Sequence, residues 1–206
     1  MMDNKAIFKN LLLSTKREGI EDLLNYLEDT SIYTDPASTR YHSNYPGGLV
    51  EHSITVYKIL KALCKLNRVE VGDDTLIIVS LLHDLVKVGS YNIETRNHKN
   101  AKTNYKWESY MTYVSKNDSQ ILPHGLQSAH IISNYIKLTD EEYAAITYHM
   151  GQQWAINECD NGAYNNAVKQ YPIVLLMHHA DAQASFIHEK IYDVTEIPFT
   201  NNLEIK

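Results

Sequence analysis

The sequence predicts an all-α helical bundle with a small β-hairpin insertion, and three observations predict it. Apolar residues recur at helical spacing along most of the chain. One segment, residues 76–82, is apolar almost all round, as a helix at the centre of a bundle must be. Only residues 90–122 abandon that period for an alternating one. At 206 residues, 44% apolar and 21% charged, the chain has an ordinary globular composition and the length of one domain.

The first two helices are expected over 5–14 and 18–28, with Ile7, Leu11, Ile20, Leu23, Leu24 and Leu27 facing inward. Asp35-Pro36 and Tyr45-Pro46-Gly47-Gly48 then break regular structure. A third helix begins at Leu49 and sets Leu49, Val56, Ile59, Leu60 and Leu63 on one stripe. His52 lies on the same stripe and so points into the protein. Asp73-Asp74 suits the first turn of a fourth helix, where carboxylates meet the positive end of the helix dipole. That helix is expected to run from Thr75 to about Lys87, which puts His83 and Asp84 near its end.

The alternation of Tyr105, Trp107, Ser109, Met111 and Tyr113 reads as one arm of a hairpin, with the polar stretch 96–104 as its turn. Helices return over 124–136 and 140–150. The second is opened by a capping box, Thr139 with Glu142, and closed by Gly151. Residues 157–170 are polar and loop-like. Pro172 suits the first turn of a last helix over 172–187, and residues beyond His188 read as a tail.

Charge and cysteine content exclude several classes. Nineteen basic against 25 acidic residues leave a net charge of −6, so no long nucleic acid or anionic membrane is expected as a partner. No apolar run approaches the roughly 18–20 residues a bilayer span needs, and the start of the chain lacks a signal-peptide pattern. Cys64 and Cys159 fit neither a disulfide framework nor a zinc knuckle. The expectation is a cytoplasmic, single-domain protein over residues 1–206, with inert thiols; the sequence leaves a homo-oligomer open.

The chemistry lies among ten histidines. A buried histidine taken alone is usually structural, satisfied by a neighbouring polar group. An aspartate on an apolar helix is different, because a buried carboxylate needs a cation or a metal. Asp84 and Asp181 are both of this kind, and His178 shares the face of Asp181. Adjacent helical residues point about 100° apart, so His83 and Asp84 are poor partners for one another yet can reach a common ion. Imidazole and carboxylate from several packed helices suit a divalent metal centre.

The series His52, His83-Asp84 and Asp181 resembles the H…HD…D signature of the HD-domain metal-dependent phosphohydrolase superfamily. The flanking words agree: Pro46-Gly47-Gly48-Leu49-Val50-Glu51-His52, Leu81-Leu82-His83-Asp84-Leu85-Val86-Lys87 and His178-His179-Ala180-Asp181. Pro123-His124-Gly125 and Tyr148-His149-Met150-Gly151 resemble extra histidines of a bacterial and phage subgroup, and the likeness covers residues 40–186. The resemblance implies an HD-domain helical bundle in which His52, His83, Asp84 and Asp181 hold a first divalent ion. It implies His124 and His149 for a second ion bridged by Asp84, or else for contact with substrate phosphate or proton donation. The cofactor is then one or two ions of Mn, Fe, Zn, Co, Ni or Mg.

Asp84 would orient the attacking water and Lys87 would neutralise a phosphate. Arg40 and His42 read as phosphate contacts, and Tyr91, Trp107 and Trp154 as surfaces on which a base stacks. The implied activity is hydrolysis of a phosphoester or phosphoanhydride in a small nucleotide, a deoxynucleotide phosphohydrolase being the specific reading. A phosphodiesterase of a cyclic mono- or oligonucleotide is the alternative. A di-iron oxygenase is compatible with the same six ligands and would be told apart by iron content and oxygen uptake. A nucleotide sensor without turnover fits less well, since it has no need of buried metal-binding carboxylates.

Overall fold

The computed structural model describes residues 3–116, 122–151 and 161–199. Helix α3 (Gly48–Asn67) is the hub: α1 (Asn4–Ser14), α4 (Asp73–Leu82) and α8 (Ile173–Gln183) all pack on it. Helix α2 (Ile20–Glu28) lies beside α1, while α5 (His124–Ser133), α6 (Asp140–Thr147) and α7 (Asn161–Gln170) complete the bundle around α4 and α8. One apolar core runs through these elements from Phe8 to Ala184. Every residue of α4 from Thr75 to Leu82 is buried, as its unbroken apolar surface predicts. The capping box of α6 is present, and its Glu142 is fully buried, accepting hydrogen bonds from Arg17, Thr75 and the Thr139 N–H.

Four expectations are corrected. Helix α4 stops at Leu82 rather than near Lys87; His83 and Asp84 form the turn before a 3-10 helix, Leu85–Lys87. The break lets two adjacent side chains converge, with His83 Nε2 3.4 Å from Asp84 Oδ2, which a continuous helix disfavours. In the hairpin, β1 (Tyr91–Asn100) and β2 (Lys106–Ser115) pair antiparallel from Tyr91↔Ser115 to Asn100↔Lys106, so the turn lies at 101–105 and not at 96–104. Asn104 and Tyr105 make that turn with φ of 57° and 60°. Residues 96–100 looked turn-like because both faces of a projecting hairpin are wet, so polar residues pair there without penalty.

The segment expected to be a loop contains α7. Three apolar side chains, Tyr164, Ala167 and Val168, fall at i, i+3 and i+4 and seat it on the core. So sparse a stripe is easily lost among the neighbouring polar residues. Last, the chain beyond His188 is not a free tail. Ser43 donates its N–H to the Lys190 carbonyl at 2.9 Å, and Asn44 exchanges two hydrogen bonds with the backbone of Tyr192, both 2.8 Å. The returning strand-like segment is thus stitched to the loop that precedes α3.

Two glycines set the geometry that the site depends on. A Cβ at Gly48 would lie 2.0 Å from the Ser43 carbonyl oxygen, so only glycine lets α3 start against this loop. At Gly125 a Cβ would lie 2.3 Å and 2.4 Å from the carbonyl oxygens of Ile146 and Thr147. Close contact of α5 with the end of α6 therefore requires Gly125, and it brings the rings of His124 and His149 to 5.5 Å. Gly125→Ala is expected to lower stability by about 1–3 kcal/mol through overpacking, read as a fall in Tm by calorimetry. An unchanged Tm would show that the two helices part without cost.

Candidate metal centre

Five elements deliver the predicted ligands to one place. His52 comes from one turn inside α3, His83 and Asp84 from the turn after α4, and His124 from the first residue of α5. His149 follows α6, and Asp181 lies in α8. His52, His83 and His149 are fully buried and Asp84 is 3% exposed.

Each of the three buried imidazoles has its Nδ1 committed elsewhere. His83 Nδ1–H donates to the Ser80 carbonyl at 2.8 Å, and His149 Nδ1–H donates to the Ile146 carbonyl at 2.7 Å. His52 Nδ1–H donates to Glu189 Oε1 at 2.7 Å. With Nδ1 carrying the hydrogen, all three rings turn Nε2 inward. His52 Nε2 lies 3.2 Å from His83 Nε2, 3.3 Å from Asp181 Oδ1 and 3.6 Å from Asp84 Oδ2. His149 Nε2 lies 3.4 Å from Asp84 Oδ1, and His124 Nε2 lies 2.7 Å from the same oxygen. Two inward triads result, His52–His83–Asp181 and His83–Asp84–His149, each able to hold a metal ion; a third group, His42–His52–Glu189, lies on the Nδ1 side of His52. His124 reaches the group through its hydrogen bond with Asp84 and its ring contact with His149.

The charges explain how so many ionisable groups share one buried space. Burial opposes charge on Asp84, but the Lys87 ammonium, 2.6 Å from Oδ2, and its histidine neighbours hold the carboxyl well below its usual range. Burial likewise opposes charge on Asp181, and its hydrogen bond with His52 overrides this and lowers it. Burial works against the His52 cation too, yet Asp181 and Glu189 together push its pKa up to about 9. His83 goes the other way, kept neutral by burial. Three carboxylates, Asp84, Asp181 and Glu189, thus share one ammonium and one imidazolium.

The donors present fit a divalent cation. The decisive atom is His149 Nε2, a buried nitrogen with no hydrogen-bond partner among the described residues, directed at a carboxylate oxygen. A bare lone pair facing a carboxylate repels it, and a cation between them turns that repulsion into coordination. The neutral His83 differs, because its Nε2 lies 3.2 Å from Nε2 of the His52 imidazolium and can accept from it.

A cleft of about 460 Å³ adjoins the centre, lined by Lys87, Tyr91, Lys116, His124 and Gln127 among others. Burial raises the Tyr91 phenol to about 12, so it stays a neutral hydroxyl. A larger hollow of about 670 Å³, between Arg17, Tyr135 and Lys137, shares no residue with the centre, and we place the chemistry at the smaller one.

The remaining expected contacts divide. Lys87 stands at the cleft but is engaged with Asp84. His42 adjoins the centre, its ring 4.8 Å from that of His52, with Nδ1–H donating to Glu189 Oε2 at 2.9 Å. Arg40 is exposed and, among the described residues, makes no hydrogen bond or ion pair with the centre. Trp107 is 68% exposed near the hairpin tip, with Lys99 Nζ 5.4 Å from its ring centroid. Trp154 and Cys159 lie outside the described residues, whereas Cys64 is a buried free thiol. His178 supports the centre indirectly, donating Nδ1–H to the His149 carbonyl at 2.9 Å. Glu189 was missed: a lone acid in a polar tail carries no periodicity or motif that marks it.

Among the described residues, no helix is long and apolar enough to cross a membrane. Compared with known proteins, the chain matches the family model described as "HD domain" over residues 49–184. It is similar to a dihydroneopterin 2′,3′-cyclic phosphate phosphodiesterase of Methanocaldococcus jannaschii, 41% identical over 69 residues. That alignment covers 31% of this chain and 28% of the relative. No solved structure matches.

Proposed function

The chain belongs to the HD-domain family, and on that footing we propose that it is a metal-dependent phosphohydrolase acting on a small nucleotide. The observation that carries the reading is the convergence of three Nε2 atoms, each fixed by its own Nδ1 hydrogen bond, on the buried Asp84 and the half-buried Asp181 beside a cleft. His52, His83, Asp84 and Asp181 would hold the first ion, and Asp84, His149 and His124 a second. Such an ion supplies Lewis acidity: it lowers the pKa of a bound water towards about 7 and polarises a phosphoryl oxygen.

The chain's own groups supply the rest. Asp84 would orient the attacking water while helping to hold the ion. Lys87, released from full neutralisation of Asp84 when a divalent ion binds, offers its charge to phosphate at the edge of the cleft. Tyr91 and His124 border the same space, where Tyr91 gives a hydroxyl and an aromatic face to the nucleoside part. With one ion bound, His124 Nε2 holds a proton for the leaving oxygen. Arg40 and His42 do not line the cleft, and as phosphate contacts they would reach only a part of the substrate that extends beyond it.

Whether the scissile bond is a mono- or anhydride bond or a cyclic diester is the finer question. The similarity to a protein named as a 2′,3′-cyclic phosphate phosphodiesterase favours the cyclic diester over one third of the chain. A panel of deoxynucleoside mono- and triphosphates and 2′,3′- and 3′,5′-cyclic nucleotides, each with Mn²⁺, Co²⁺, Ni²⁺ or Mg²⁺, separates the two. Turnover of at least one class, abolished by chelator and restored by metal, is expected. No turnover with any metal would overturn the hydrolase reading.

A further inference from the structure

We infer that Glu189 is a positioning residue for the metal centre: its carboxylate fixes the ring of His52 so that Nε2, and not Nδ1, is the atom offered to the ion. The inference rests on the function proposed above only in taking the Nε2 side as the metal side. Glu189 lies beyond the matched family segment, which ends at residue 184, and its partners His42 and Ser43 lie before that segment begins at residue 49. The device is therefore built from chain that flanks the family core on both sides.

The geometry is specific. The Glu189 side chain is 3% exposed and accepts three hydrogen bonds: from His52 Nδ1–H at 2.7 Å, His42 Nδ1–H at 2.9 Å and Ser43 Oγ–H at 2.7 Å. All three neighbours are placed as donors, so the carboxylate serves each of them as the acceptor. An acceptor at 2.7 Å from Nδ1 requires the hydrogen to sit on Nδ1. His83 and His149 achieve the same result with backbone carbonyls of their own helical turns, Ser80 and Ile146. His52 differs: it lies one turn inside α3, where the Leu49 carbonyl three residues earlier already accepts from Ser53 Oγ, and its Nδ1–H is paired with Glu189 instead. It needs an acceptor from elsewhere, and the segment after α8 supplies one. A carboxylate also raises the basicity of the imidazole it orients more than a carbonyl does.

The segment that delivers Glu189 is held independently of His52. Asn44 clamps Tyr192 through both its amide atoms, and Ser43 N–H binds the Lys190 carbonyl. A π-turn over Ala184–His188 ends α8 and redirects the chain toward α3. Asn44→Ala therefore loosens the segment without removing the carboxylate, and it serves as the structural control.

Three variants are compared: Glu189→Ala, Glu189→Gln and Asn44→Ala. The first readout is the His52 Nδ1–H resonance in ¹H–¹⁵N spectra of metal-free protein. It is expected far downfield in the wild type and in Asn44→Ala, and lost to exchange in Glu189→Ala. The second readout is the Kd for Mn²⁺ from the electron paramagnetic signal of free ion. It is expected to rise about 10–100-fold in Glu189→Ala and to recover in part in Glu189→Gln, whose amide oxygen still accepts from Nδ1–H. Should Glu189→Ala not fold, Glu189→Gln carries the test, with a smaller rise in Kd and a shifted Nδ1–H resonance. A wild-type Kd and unchanged His52 resonance in folded Glu189→Ala would overturn the inference, as would equal losses of affinity in Glu189→Ala and Asn44→Ala. Failure of the wild type to bind Mn²⁺ at all would count against the proposed metal centre instead, and the resonance would still report on Glu189.

Discussion

Asp84→Ala is expected to lower turnover by about a thousand-fold or more while KM for the nucleotide changes far less. The reason is the number of functions the side chain combines. Its Oδ2 faces His52, His83 and Lys87 and its Oδ1 faces His124 and His149, so it stands between the two candidate ligand groups. Removing it would take away a carboxylate that both proposed ion sites need and leave the attacking water without an orienting acceptor. Alanine also strands the buried Lys87 ammonium, so Asp84→Asn is the better-folded companion. It keeps the shape and removes the charge, and it is expected to lose activity almost as completely. Steady-state kinetics with melting curves for both variants checks this. A folded Asp84→Asn that retains more than about a tenth of wild-type turnover would contradict the assignment.

The second large effect is on stability. In the metal-free protein Lys87 is the full positive charge closest to Asp84, at 2.6 Å, with only 17% of its side chain exposed. Lys87→Met is expected to destabilise that form by about 3–5 kcal/mol, because it leaves a buried carboxylate without its cation. For a chain of this length that is a fall in Tm of roughly 6–20 °C. Saturating Mn²⁺ supplies positive charge to the same carboxylate, so the deficit is expected to shrink sharply when metal is present. Wild-type protein should itself gain about 2.7 kcal/mol at a hundred times the metal Kd. Melting all four combinations, wild type and Lys87→Met with and without Mn²⁺, measures the coupling directly. Equal losses with and without metal would mean that Lys87 and the ion do not answer to the same charge.

The ligand positions were legible in the sequence because burial and ionisability conflict there. His52 on an apolar stripe, His83-Asp84 at the end of an all-apolar helix and Asp181 within another each violate the local pattern, and the structure brings them together. The helices were legible for the same reason in reverse, since dense apolar faces such as that of α4 leave little choice of period. What escaped depended on contacts remote in the chain. The break after Leu82 is required by the convergence of His83 and Asp84, and no residue at that point forbids a helix. Helix α7 shows only Tyr164, Ala167 and Val168 on its inner face, too few to stand out from its amides. The role of Glu189 rests on partners 137 and 147 residues away, a separation across which a single acid carries no signal.

The central claim is that the inward Nε2 atoms and the two carboxylates together hold a catalytic divalent ion. An anomalous-difference map from crystals of the full chain grown with Mn²⁺ tests it most directly. The account predicts a peak bonded to Nε2 of His52 and His83 and to Asp84 and Asp181, with any second peak between Asp84, His149 and His124. A map without a peak there, or with its strongest peak between His42 and Glu189 on the Nδ1 side of His52, would contradict it.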